Sequence, residues 1–351
     1  MENKRFFELD ALRGFAALFV MFFHFTEGKT NFYIFNLGVT AVDLFFMISG
    51  FVIFMSINKV SSGKEFIINR VSRLYPTYWT CVTITYLVIL FLAKANFHFT
   101  HVNIPGIKEY LANMTMFQYY FKVPNLDSPY WTMIIEMLFY LFILLLFQLK
   151  TLKHITEIGC VINVIVIVNY CLVVNKAVPN FTVYFPLLNH FALFFAGITF
   201  YKIAHHLQSK LYGYSVILFC MATQIIIFTS TGSDPAHITL VQYIFALIIY
   251  AIIFTLFINE KLKFIISGPT IFLGNISFAL YLIHSFIFRG LIGYLTTHFH
   301  LNFWVTTIFI ATPLVIIMAF FITHYIEKPY GKKMKAYLNS LFKLPIRGSA
   351  I

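Results

Sequence analysis

The chain has 351 residues, of which 60% are hydrophobic and only 11% charged, and its mean hydropathy is +0.82. Soluble domains run near half apolar and about a quarter charged, so this composition excludes a soluble globular protein. The net charge of +12 has no soluble basic domain to sit on, so the expected environment is membrane lipid, with no nucleic acid as partner.

A helix needs about 20 apolar residues to cross a bilayer. Apolar runs predict spans over residues 11–27, 37–56, 74–93, 129–149, 155–174, 182–201, 212–230, 239–258, 271–292 and 303–325. The fold class is therefore all-α, a polytopic membrane protein with ten transmembrane helices. The first run follows Asp10, Arg13 and Gly14 and contains His24, which suits a functional helix better than a cleavable signal. Between the third and fourth spans, residues 106–121 read as a short amphipathic helix at the surface. Cys81, Cys160, Cys171 and Cys220 lie in or beside apolar runs without a CxxC pattern, as small buried hydrophobes do. Ten spans with a cytoplasmic N-terminus put 19 of the 25 basic residues on the inner side and six outside. That bias follows the positive-inside rule and places both termini in the cytoplasm. The expected organisation is a membrane domain over residues 1–335 and a short basic cytoplasmic tail over 336–351.

Ionisable groups at membrane depth are costly unless paired or hydrated, so each is a functional candidate. Counting helix rise, His24, Asp43, Glu136 and His284 fall in one layer, roughly 5–12 Å below the outer surface. A second layer at the cytoplasmic edge holds Asp10, Arg13, Arg70, Arg73, His324 and Glu327. Arg13 and His24 are eleven residues apart. They therefore share one helix face, about 16 Å apart along it.

A histidine and a carboxylate in a low-dielectric layer suit proton abstraction from a hydroxyl. Clustered arginines at the membrane edge suit phosphates, because the guanidinium fork matches phosphate oxygens. Each has a plainer reading as well: histidine as a packing residue, arginines as a topological signal, and Asp43 as one half of a pair between helices. No HxxxH pair lies inside a span, and His205–His206 fall in a loop without a third ligand, so no metal is expected. Neither GxSxG nor a Walker loop is present. A phosphate-bearing donor reaching a hydroxyl deeper in the membrane fits the two layers, and acyl-CoA has that shape. The alternative is a transporter or flippase for lipid-linked sugars, against which stands the lack of a repeat of broken helices.

Five stretches carry a resemblance. They are ELDALRGFAALFVMFFHF (8–25), GVTAVDLFFMISGFVI (38–53), NRVSRLYPTYW (69–79), SPYWTMIIEMLFYL (128–141), and LGNISFALYLIHSFI (273–287) followed by HYIEKP (324–329). In this order they resemble membrane acyltransferase family 3, integral membrane O-acyltransferases that modify surface glycans. Thr132 stands where the family has Ser, and Asn69 where many members have a basic residue.

The resemblance implies an O-acyltransferase, expected to be an acetyltransferase. It would carry the acyl group of cytoplasmic acetyl-CoA (acyl-CoA) to a hydroxyl of an extracytoplasmic glycan or glycolipid. O-antigen of lipopolysaccharide, capsule and exopolysaccharide are the acceptors expected, in a bacterial inner membrane. It also implies His24 as catalytic base with Glu136 in support, and Arg13, Arg70 and Arg73 on the CoA phosphates. Asp43, Trp131 and His284 are expected to shape the acceptor side. No SGNH hydrolase-like domain is expected to be fused here, so the acyl group would pass directly to the acceptor or to a separate partner.

Overall fold

The computed structural model describes residues 5–28, 33–94, 104–230 and 237–342. We number twelve helices: α1 Phe7–Thr26, α2 Ala41–Ile57, α3 Gly63–Lys94, α4 Ile107–Met114, α5 Trp131–Gln148, α6 Ile155–Val174, α7 Phe191–Ala204, α8 Lys210–Ile226, α9 Leu240–Ile258, α10 Gly268–Ile283, α11 Phe286–His298 and α12 Phe303–Leu341. Their starts follow local chemistry. Glu8 and Asp10 sit in the first turn of α1, where a carboxylate meets the positive end of the helix dipole. Thr239 with Gln242, and Ser267 with Thr270, form capping boxes at α9 and α10. Among the described residues seven helices are long and apolar enough to cross a membrane, eight if the bent pair α10–α11 counts as one span. The apolar helices α7 and α8 are shorter, at 14 and 17 residues.

Several expected boundaries shift. The third span, expected from residue 74, begins at Gly63, so Arg70 and Arg73 lie within a helix rather than in a basic loop. The expected run 182–201 is two 3-10 turns followed by α7. In 106–121 only Ile107–Met114 is helical. The expected span 271–292 is broken at His284 and Ser285, where α10 and α11 meet with a 75° bend. The last helix continues past residue 325 to Leu341, and of the expected tail 336–351, residues 343–351 lie outside the described residues.

The bend has a visible support. The buried Asp127 carboxylate accepts the amide of Phe286, at the start of α11, at 3.1 Å through Oδ1, and the amide of Ser128 at 2.7 Å. One side chain thus satisfies orphan N–H groups at two helix starts. In α12, π-helical turns at Thr306–Ala311 and Thr323–Glu327 end two residues before Pro313 and Pro329. A wider turn there makes room for rings that would clash with the carbonyl four residues back.

Two crossings set the frame. A Cβ on Gly274 would lie 2.2 Å from the Asp10 carbonyl, and one on Gly14 would lie 2.8 Å from the Gly274 amide, so α1 and α10 touch backbone to backbone. Gly50 and Gly197 do the same for α2 and α7, where a Cβ on either would lie 2.0 Å from a carbonyl oxygen of the other helix. Small residues at the contact permit this in a bilayer, where close packing rather than water exclusion drives association. The glycines of three of the motif stretches (Gly14, Gly50 and Gly274) therefore serve packing. The aromatics of a fourth do likewise: Tyr75 Oη and Trp79 Nε1 donate to the carbonyls of Thr115 and Met114 at 3.0 and 2.9 Å, holding the α4 connection against α3.

Candidate active site

A cavity of about 520 Å³ lies among α1, α2, α3, α5, α10 and α12. Along α2 its wall runs from Val42 to Met55, about 20 Å at helix rise. Its mouth carries charge: Arg5, Asp10 and Arg13 from the start of α1, Arg73 from α3, and Glu327 and Lys328 from α12. Apolar side chains such as Leu9, Val52, Leu74 and Met133 line its length, and Thr132 and Tyr281 stand at the far end, joined by a 3.1 Å hydroxyl–hydroxyl bond. The α1–α10 crossing positions the mouth, where Arg5 bridges Asp10 at 2.6 Å and Asn275 at 2.5 Å.

The arginines do not all behave alike. Arg13 and Arg73 line the cavity, whereas Arg70 does not. Arg70 is 9% exposed, donates to Ser56 Oγ at 2.6 Å and lies over the Phe66 and Tyr140 rings. Glu136 also lines the cavity, accepts the Tyr140 hydroxyl, and acts electrostatically on both Arg13 and Arg70. The expected layer is thus divided. Glu136 belongs with the guanidinium groups, one turn below Thr132, and not with His24.

His24 stands at the other end of α1, outside the cavity lining, with a different carboxylate. Its Nδ1 is 3.5 Å from Glu27 Oε2, an electrostatic contact at the outer limit of a hydrogen bond. Arg289 Nη1 lies 2.8 Å from the same oxygen, and His237 Nε2 3.8 Å from Glu27 Oε1. The His24 contact first, and then the Arg289 charge, hold the Glu27 carboxyl below its ordinary value against the opposing effect of burial. A carboxylate on Nδ1 leaves Nε2 of His24 to act as a base.

His284, fully buried at the α10–α11 break, packs its ring 5.2 Å from that of His24. Its Nδ1 faces the carbonyls of Tyr281 at 2.8 Å and Leu280 at 3.2 Å. The proton therefore sits on Nδ1, and Nε2 is an acceptor with no partner among the described residues. Tyr281 at the end of the cavity is 5.9 Å ring to ring from His284. The order along the molecule is charged mouth, apolar walls, Tyr281, His284, His24.

Two expected acceptor residues lie elsewhere. Asp43 is buried on α2 and acts on Tyr250, whose hydroxyl bonds Thr40 at 2.7 Å; it does not line the cavity. Trp131 packs on His190 at 5.5 Å and on Phe46 at 6.5 Å, behind the cavity wall that Phe46 forms. Glu27, Arg289, Tyr140 and Tyr281 were not among the expected site residues. Glu27 had a signal, since three residues after His24 it falls on the same helix face. The others are gathered only by tertiary packing. No group of three or more His, Cys, Asp or Glu side chains able to hold a metal ion occurs among the described residues.

Comparison with known proteins places this arrangement. The family model described as "Acyltransferase domain" matches residues 6–324. A protein of Acidianus two-tailed virus named "Putative acetyltransferase ORF330" is 26% identical over 312 residues, which are 81% of this chain and 84% of that protein. "Nodulation protein 10" of Rhizobium leguminosarum bv. viciae is 27% identical over 167 residues, covering 40% of this chain and 44% of that protein. No solved structure matches the chain. The match runs from the residue before α1 into the second π-helical turn of α12, taking in Arg13, His24, Arg73 and Glu136, and the chain belongs to acyltransferase family 3, whose members are membrane acyltransferases.

Proposed function

We propose that this acyltransferase is an O-acetyltransferase of a bacterial inner membrane, taking the acetyl group from cytoplasmic acetyl-CoA and passing it to a hydroxyl of an extracytoplasmic glycan. The observation that carries this reading is the cavity: cationic at one end, apolar along about 20 Å, and ending one helical turn from a pair of imidazoles. In this reading the charged mouth is cytoplasmic, as the basic bias requires. Counting α7, α8 and the bent pair as spans restores ten, with both termini inside.

Arg13 and Arg73 take the CoA phosphates, with Lys328 and Arg5 beside them, and Asp10 and Glu327 set the spacing of these cations. Glu136 holds Arg13 in place and is in turn held by Tyr140. Arg70 acts from behind, through the Tyr140 ring and Ser56. The pantetheine arm follows the apolar walls, and the thioester has to pass Tyr281 to reach the imidazoles. His24 Nε2 takes the proton as the acceptor oxygen attacks the thioester carbonyl. The new C–O bond forms, the C–S bond breaks, and the imidazolium returns the proton to the leaving CoA sulfur. Glu27 stabilises that imidazolium, and His284 Nε2 accepts a hydrogen bond from a neighbouring acceptor hydroxyl. The acceptor is O-antigen, capsule or exopolysaccharide in this reading, reached directly or through a separate partner protein.

Mass spectrometry of surface glycans from cells with and without the gene tests the proposal. A loss of one acetyl group per repeat unit in the deletion strain is the expected result. Identical glycan masses, with the protein present in the membrane of the parent strain, refute it.

A further inference from the structure

A second, smaller cavity of about 210 Å³ lies apart from the first, among α6, α8 and the connections around residues 180–189 and 227–230. We infer that it is a neutral saccharide-binding subsite that holds a non-reacting sugar of the acceptor, a role that rests on the glycan reading above.

Its chemistry is one-sided. Among the described residues no Asp, Glu, Lys, Arg or His lines it; its polar members are amides and hydroxyls, among them Asn169, Asn180, Thr182, Thr229 and Ser230. The remainder is aliphatic, with Val166 and Val173 from α6 and Ile227. An anionic headgroup finds no cation here, and an acyl chain would desolvate the amides without return. A sugar ring offers both hydroxyls and an apolar C–H face. The space is several times what one ordered water needs.

One atom points to a ligand. Asn169 is 4% exposed, and its Oδ1 has no partner among the described residues. The amide orientation is fixed by its neighbours. Asn180 Oδ1 accepts the Thr182 amide at 3.0 Å and the Thr182 hydroxyl at 2.7 Å, so it is an oxygen. Asn169 must therefore offer its NH₂ to that oxygen, at 3.1 Å, which leaves Oδ1 as a buried acceptor awaiting an O–H donor. Tyr170 Oη, bonded to Thr229 at 2.9 Å, belongs to a residue that lines the same cavity.

Its place also fits. Thr229 and Ser230 belong to the same α8–α9 connection as His237, which contacts Glu27 beside His24. Asn189 leads directly into His190, which packs on Phe46 of the donor cavity wall. The subsite therefore opens at the His24 end of the bundle.

The test is thermal unfolding of the full-length protein in a detergent without a sugar headgroup. The probes are methyl glucoside, galactoside and mannoside, with inorganic phosphate and acetyl-CoA as separate additions. At least one glycoside should raise the unfolding midpoint, and phosphate should not match it. Asn169→Leu, which keeps the shape and removes the acceptor, should weaken that glycoside about tenfold while the acetyl-CoA response persists. Tyr170→Phe gives a second reading should Asn169→Leu fail to fold. No glycoside response in the parent protein, as expected of a cavity holding only water, overturns the inference. So does a glycoside response unchanged in both variants, or one equalled by phosphate. Failure of the acyltransferase reading shows separately, as a missing acetyl-CoA response.

Discussion

Replacing Glu27 by Gln should slow acyl transfer about tenfold while leaving acetyl-CoA affinity unchanged. The substitution keeps the size and an oxygen acceptor near His24 but removes the charge that steadies an imidazolium. A hydrogen bond involving a charged group contributes about 1.5–3 kcal/mol, and each 1.4 kcal/mol is about tenfold in rate. The Glu27 side chain is 28% exposed and 3.5 Å from Nδ1, which puts the effect at the lower end of that range. The assay is release of free CoA thiol from acetyl-CoA by the purified protein with membrane glycan extract as acceptor. The charged mouth lies at the other end of α1, so KM for acetyl-CoA should hold while kcat falls. A kcat within twofold of the parent would falsify the assignment of Glu27 as the partner of His24.

Arg73→Ala should raise KM for acetyl-CoA about tenfold, since one guanidinium–phosphate contact is lost. Arg70→Ala should instead lower the thermal midpoint with a smaller change in KM, because Arg70 packs behind the cavity; equal KM effects in the two variants contradict that distinction. Gly274→Ala drives a Cβ to 2.2 Å from the Asp10 carbonyl and should cost about 1–3 kcal/mol, read as a lower unfolding midpoint. The Glu27 carboxyl is depressed, so its contribution is fully present above its ordinary pKa of 4.5 and is lost as pH falls through the lower folded value. Arg289→Met removes a charge that lowers it, so the acid limb of the rate profile should move to higher pH. An acid limb that stays in place argues that Arg289 does not act on Glu27.

Apolar runs reported the membrane class and the approximate course of most helices, because lipid demands long stretches of one chemistry. The break at His284 was hidden, since the apolar run resumes at once with Phe286 and the support comes from Asp127, well over a hundred residues earlier in the chain. The start of α3 at Gly63 was hidden for a related reason: its first turns are polar and lie outside the apolar window. Arg13 and Arg73 were legible as cations at the membrane edge, and the cavity brings them together. Depth counting failed for Glu136. It gives a height along a helix but not the direction a side chain faces, and α5 turns Glu136 toward the arginines. Glu27 was passed over as a span terminus, although its spacing from His24 was visible.

The most direct measurement is acetyl-CoA turnover and binding by the His24→Gln protein. His24 is outside the donor cavity, so binding of acetyl-CoA should match the parent while transfer to glycan falls by about 10²–10⁴, the loss expected on removing a general base. Transfer at the parental rate, in a folded His24→Gln protein that binds the donor normally, contradicts the account.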